Sequence, residues 1–160
     1  MAQPTDVTDA VRKEIVVAAT PEQAFKVFTE QLGTWWPREY SIGAVDMADF
    51  IVEPVAGGRW YEVGIDGSEC DTGRVMAYEP PDRLVLAWHL NGRWQFDPDP
   101  EHASEVEVRF IADGDGRTRV RLEHRHFERH GLDAPAVRSA VESTGGWGHV
   151  LAPYIAQLAA

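Results

Sequence analysis

The sequence predicts an α+β fold in which a curved antiparallel sheet is covered by a C-terminal helix. Three observations carry the prediction. Between residues 49 and 127, apolar residues recur with a period of two in segments separated by tight-turn signals. From about Ala134 to Leu158 the period lengthens to that of a helix. An antiparallel sheet with one apolar face must cover it, and no other element is long enough to do so.

The elements follow in chain order. Residues 1–10 are polar and expected to fray, and residues 11–160 are expected to form a single domain. VRKEIVVAA (11–19) alternates and then turns continuously apolar, as a strand does. Thr20-Pro21-Glu22-Gln23 reads as a helix start: Thr20 as N-cap, Pro21 as the first helical residue, and Gln23 where a capping box needs it. Ala24, Phe25, Val27, Phe28 and Leu32 give a short helix with an apolar face, closed by Gly33 and Pro37. Strands follow at DFIVEP and RWYEVGI, with Asp66-Gly67 as a hairpin turn. CDTGRVMAYEPPDRLVLAWHL reads as two strands broken at Glu79-Pro80-Pro81-Asp82. NGRWQFDPDPEHA is a long, proline-bearing loop. SEVEVRFIAD and RTRVRLEHRHF alternate again, joined at Asp113-Gly114-Asp115-Gly116. About six consecutive strands joined this way make a meander, and a strongly twisted sheet around one helix leaves a space between them.

The closing stretch GGWGHVLAPYIAQL (145–158) is unusual. Trp147, Val150, Leu151, Tyr154, Ile155 and Leu158 share one helical face, yet three glycines and Pro153 weaken the helix. A bend between Gly145 and Pro153, beside a cavity, is expected.

Composition narrows the function. The net charge of −11 argues against nucleic acid and anionic membrane surfaces as partners. The N-terminus lacks the apolar run of a signal peptide, no stretch reaches membrane-spanning length, and the one cysteine, Cys70, permits no internal disulfide. A cytoplasmic protein is expected.

The order of elements and several motifs resemble the START-like, helix-grip superfamily (SRPBCC), and more narrowly its bacterial branch related to the activator of heat-shock-protein ATPase. The residues that carry the likeness are TPEQAFKVFT, Trp35-Trp36-Pro37, GGRWYE (57–62), GRVMAYEPPDRLVLAW (73–88), TRVRLEHRHF (118–127) and GGWGHVLAPYIAQL. The resemblance implies a sheet of about seven strands gripping the C-terminal helix. The fold hosts lipid carriers, hormone binders, cyclases, hydroxylase subunits and co-chaperone domains. The eponymous activator engages its chaperone through a separate N-terminal domain; none is seen here, and a chaperone partner is not expected.

Residue chemistry favours binding. HRH (124–126) is the nearest approach to a metal signature, but no second cluster supplies the three or four ligands that zinc needs, so no metal or cofactor is expected. In phase with Val120 and Leu122, both His124 and His126 should point inward. Cys70 sits between Glu69 and Asp71, which blunts a thiol, and no nucleophile-elbow motif is present. Trp60 and Glu62 share a strand face, but the sequence leaves open whether it is the inner one, and a solvated glutamate is the default expectation.

The aromatic residues make the stronger case. The candidates for a cavity wall are Trp35, Trp36, Trp60, Glu62, Leu86, Trp88, Trp94, Phe96, His124, Trp147, Leu151 and Tyr154. Half or more of the aromatic ones are expected to be plain core. The function expected first is a protein, monomeric or homodimeric, that holds a small hydrophobic or aromatic molecule between sheet and helix. A cyclase- or hydrolase-type enzyme using that cavity and a chaperone-regulating interaction module are the alternatives.

Overall fold

The computed structural model describes residues 8–159. Most of the stretch expected to fray, residues 1–7, lies outside the described residues. Strand β1 (Val11–Val17) leads into helix α1 (Pro21–Glu30). The capping box forms as its residue types dictate: the Gln23 amide donates to Thr20 Oγ1 at 3.3 Å, and the Thr20 amide donates to Gln23 Oε1 at 3.2 Å. One further turn, α2 (Leu32–Trp35), ends just before Pro37.

Six more strands follow: β2 (Met47–Val52), β3 (Arg59–Gly64), β4 (Glu69–Glu79), β5 (Arg83–Trp88), β6 (Ser104–Ala112) and β7 (Thr118–Arg125). They join β1 in one seven-stranded sheet of order β1-β7-β6-β5-β4-β3-β2, antiparallel at every pairing. Register shifts between Trp60 and Tyr61, and between Val75 and Ala77, interrupt the ladder. Such shifts sharpen the local twist. The expected curved sheet is therefore present, with the helices on its concave face.

Period-two patterning sorts the two faces. Val106, Val108 and Phe110 of β6 are buried with Leu84, Leu86 and Trp88 of β5 and Val120, Leu122 and His124 of β7. The alternate positions of β6 and β7 are mostly charged: Arg125 of β7 reaches Glu105, Glu107 and Glu123 at 3.0–3.2 Å. On the inner side Phe28, Trp35, Phe110 and Tyr154 meet at ring separations of 5.1–5.7 Å. The Tyr154 hydroxyl donates to the Ala24 carbonyl at 2.8 Å, tying the last helix to α1.

The closing helical segment is in two pieces, α3 (Ala134–Glu142) and α4 (Trp147–Ala159). Only a bend was expected there. Ser143 is extended, its hydroxyl donates to Ala140 O at 2.7 Å, and the Gly146 amide donates to Ser143 O at 2.8 Å. Gly146 lies so close to the Val141 carbonyl that any Cβ would overlap it. Pro153 does not end α4, which runs through it. Among the described residues, no helix is long and apolar enough to cross a membrane.

Candidate functional site

A cavity of about 590 Å³ lies at the N-terminal end of α4, where the covering helix begins. Small-molecule sites occupy roughly 300–1,000 Å³. Its walls come from three segments, 36–42, 90–95 and 140–150, with Trp88 at the end of β5 between them. The deep part is buried and apolar: Trp36, Trp88, Leu90, Val141, Trp147 and Val150. The mouth is ringed by the exposed residues Glu39, Tyr40, Arg93, Trp94 and Gln95.

Four indoles form a continuous edge-to-face chain along this wall. Trp36 meets Trp147 at 6.1 Å and 80°, Trp147 meets Trp88 at 5.8 Å and 68°, and Trp88 meets Trp94 at 6.3 Å and 73°. Trp94 is 44% exposed and has φ of +60°, a conformation uncommon for a bulky residue. The loop enforces it. Asn91 Oδ1 accepts from the amides of Arg93 and Gln95 at 2.9 and 3.1 Å, Asn91 O accepts from the Trp94 amide at 3.0 Å, and Asp133 Oδ2 accepts from the Gly92 amide at 3.0 Å.

In the deep part polar groups are few. The Trp88 Nε1–H and the Ser41 hydroxyl, both on cavity-lining residues, are buried and have no partner among the described residues. The face of β3 that the sequence left open turns inward: Trp60 and Glu62 are buried at 1% and 3% exposure, contrary to the default of a solvated glutamate. Glu62 Oε2 accepts from the Ile42 amide at 2.7 Å, behind the wall formed by Ser41 and Ile42, while Oε1 has no partner among the described residues. At the mouth, Tyr40 OH donates to Gly145 O at 2.6 Å, and His149 Nε2 lies 3.0 Å from Glu39 Oε1.

Of the wall candidates named from sequence, Trp36, Trp88, Trp94 and Trp147 line the cavity. Trp35, Leu86, Leu151 and Tyr154 instead fill the core beneath the helices. Trp35 donates its N–H to Val27 O at 3.0 Å. Trp60 stacks on Phe50 at 5.5 Å and donates to Ala87 O at 2.9 Å, one layer behind Trp88. Phe96 is turned away, stacked on His89 at 5.3 Å with the Arg74 guanidinium 5.2 Å from its ring. The sequence reading did not select Ser41, Ile42 or Leu90. Segment 36–42 has no periodicity to betray its facing, whereas Val150 and the two glycines of the helix break stand out in the sequence.

His124 lies one layer behind the cavity wall. Trp147 Nε1–H donates to its Nδ1 at 3.1 Å, and its Nε2 is 2.8 Å from Ser104 Oγ, which is 2.8 Å from His130 Nε2. Because Nδ1 accepts, the neutral ring carries its proton on Nε2 and donates to Ser104, whose own proton then goes to His130. Both ring nitrogens of His124 are thereby used. Burial pushes His124 well below the ordinary histidine range, with His130 adding to the effect, and burial also lowers His130. His126 departs from the inward orientation expected of it. The chain turns left-handed there, φ +65°, which ends β7 and leaves its ring 3.5 Å from Glu128 at the surface. Burial first, then the charges of Glu62 and Asp71, raises the Cys70 thiol; the direction is the expected one, but burial and Glu62 across the strand pair stand where the sequence pointed to Glu69.

The curved sheet, the gripping α4 and a cavity between them define a helix-grip domain. The sequence matches the family described as "Activator of Hsp90 ATPase homolog 1-like protein" over residues 18–159, and the chain belongs to that family. Among solved structures it is similar to Txn09, described as an anthrahydroquino-γ-pyrone synthase, with 39% identity over 95% of this chain and 99% of that one and a TM-score of 0.66. It is also similar to CalC of Micromonospora echinospora, described as a self-sacrificing resistance protein, with 36% identity over 96% of each chain and a TM-score of 0.70. A protein of Nitrosomonas europaea, at 19% identity over 98% of each chain and a TM-score of 0.66, shares the fold. No curated protein sequence matches the chain.

Proposed function

We propose that this protein binds a small, planar, fused-ring aromatic molecule in the cavity at the head of α4. One observation carries the reading: the chain of four indoles, Trp36, Trp147, Trp88 and Trp94, that lines a space of ligand size. Successive rings turned edge to face offer a flat guest both faces and edges, the two geometries aromatic pairs prefer. The similarity to a synthase of a fused anthrahydroquinone–pyrone supports this ligand class. The protein is taken to be cytoplasmic, in keeping with its single cysteine.

The test is titration with xanthone, a planar tricycle, followed by tryptophan emission. Four of the six tryptophans line the cavity, so saturable quenching of most of the emission is the expected result. Trp94→Ala, a change at an exposed position, should weaken binding about threefold to tenfold without loss of fold. Quenching that does not saturate, or that Trp94→Ala leaves unchanged, would remove the reading. Native mass spectrometry of the purified protein would show whether a natural ligand travels with it.

A second reading, ring closure of a bound precursor, draws on the same relative, which is described as a synthase. A molecule that co-purifies and changes its chromatographic retention on incubation with the protein would favour this reading over simple binding.

A further inference from the structure

Of the residues that line the cavity, the charged ones are Glu39 and Arg93, and both are exposed at its mouth. They differ in what they already hold. Glu39 Oε1 is 3.0 Å from His149 Nε2, and that bond keeps the Glu39 carboxyl below its ordinary range. The Arg93 guanidinium has no ion pair, hydrogen bond or ring contact among the described residues. Elsewhere this acidic chain uses its cations fully: Arg59, Arg83, Arg119 and Arg125 each hold two or three carboxylates. The loop fixes the backbone from which Arg93 projects. The amides of Arg93, Trp94 and Gln95 all donate to Asn91, at 2.9–3.1 Å, and the Asn91 amide donates back to Gln95 O at 3.0 Å. Leu90 and Phe96 pair across its base. The tip thus sets Arg93 beside Trp94, the outermost of the four indoles, so a flat guest among those rings has its outer edge at this tip.

We propose that Arg93 determines specificity at this site by pairing with a carboxylate on the outer edge of the guest, which makes the preferred ligand a fused-ring aromatic acid. The proposal rests on the cavity being a ligand site. The apolar depth takes the rings and offers an anion nothing. At the rim, the guanidinium presents a planar fork of donors that matches the two oxygens of a carboxylate. The guest's charge stays at the mouth, in contact with water, so no ion is buried to gain the contact. The rest of the chain works against an anion, since its net charge is −11. A preference for the acid is therefore local to Arg93.

Xanthone-2-carboxylic acid and its methyl ester share their rings and ring carbonyl and differ in charge. Each is titrated at pH 7.5 by quenching of tryptophan emission. The wild type should bind the acid about threefold to tenfold tighter than the ester. Arg93→Gln, at an exposed position, should erase that preference by weakening the acid. Arg117→Gln makes the same change in net charge in the β6–β7 turn, at the other end of these strands from Trp88, and should leave the preference intact. If Arg93→Gln keeps the preference, or Arg117→Gln removes it equally, the contact is refuted. It is also refuted, with the cavity reading left standing, if the wild type binds the acid no tighter than the ester, or binds xanthone but neither derivative. If xanthone does not bind either, the cavity reading fails first.

Discussion

His124 shows how much one buried side chain can fix. It has no exposed surface, and its two ring nitrogens join Trp147 in the cavity wall to Ser104 and, through it, to His130. Only neutral rings can keep this order of donors and acceptors. The sign of the pH effect follows. Both histidines have folded values below their unfolded one, so below about pH 6.5 the unfolded chain takes up protons that the folded chain refuses. Their contribution is fully present above that pH and is lost as the pH falls. His89, lowered mainly by burial, acts in the same direction, while His102, raised by Asp97, opposes it from the surface. Urea denaturation at pH 7.5 and 5.5 should therefore show wild-type stability falling with acid. His124→Leu should be less stable at pH 7.5, because it strands the Trp147 N–H and removes the donor to Ser104 Oγ, yet should show a shallower loss between the two pH values. An unchanged slope would mean that the pair does not titrate as the geometry requires.

At the scale of elements, the break between α3 and α4 is what creates the site. Gly145 and Gly146 line the cavity, and the turn they make lets Trp147 start a new helix facing Trp36 and Trp88. Two glycines two positions apart, Gly146 and Gly148, are predicted to respond in opposite ways. Alanine at Gly146 would collide with the Val141 backbone, so Gly146→Ala should cost about 1–3 kcal/mol, as overpacking does, and should weaken xanthone binding. Gly148 sits within α4 with nothing near a Cβ, so Gly148→Ala should gain about 0.5–1 kcal/mol. Midpoints of chemical denaturation decide both, and equal effects would contradict the packing described. The sequence announced the irregularity, since glycine and proline are local signals, but not its form. Whether Gly146 bends or breaks a helix depends on the Val141 carbonyl, a contact that periodicity does not encode. The capping box at Thr20 and the hairpin at Asp66-Gly67 were legible because every residue that makes them lies within a few positions.

At the scale of the whole molecule, the strand order was legible because alternation and turn chemistry repeat along the chain, and the motif resemblance supplied how the helix is gripped. The sorting of tryptophans was not. Trp35 and Trp36 are neighbours in sequence, yet one fills the core against Phe28 and Tyr154 while the other lines the cavity. That division depends on how segments 36–42, 90–95 and 140–150, far apart in sequence, close around the end of β5. The same convergence yields a prediction about the entire fold. A ligand that binds only the folded state at a hundred times its Kd adds about 2.7 kcal/mol of stability. For a chain of this length, each kcal/mol moves Tm by about 2–4 °C, so saturating xanthone should raise Tm by roughly 5–10 °C. Hydrogen exchange locates the effect. Added protection should fall on the three converging segments and spare the paired amides of β6 and β7, which lie within the sheet and away from the mouth. A rise in Tm with uniform protection would mean that the ligand stabilises the fold from elsewhere. Protection confined to the three segments would tie binding to the cavity they enclose.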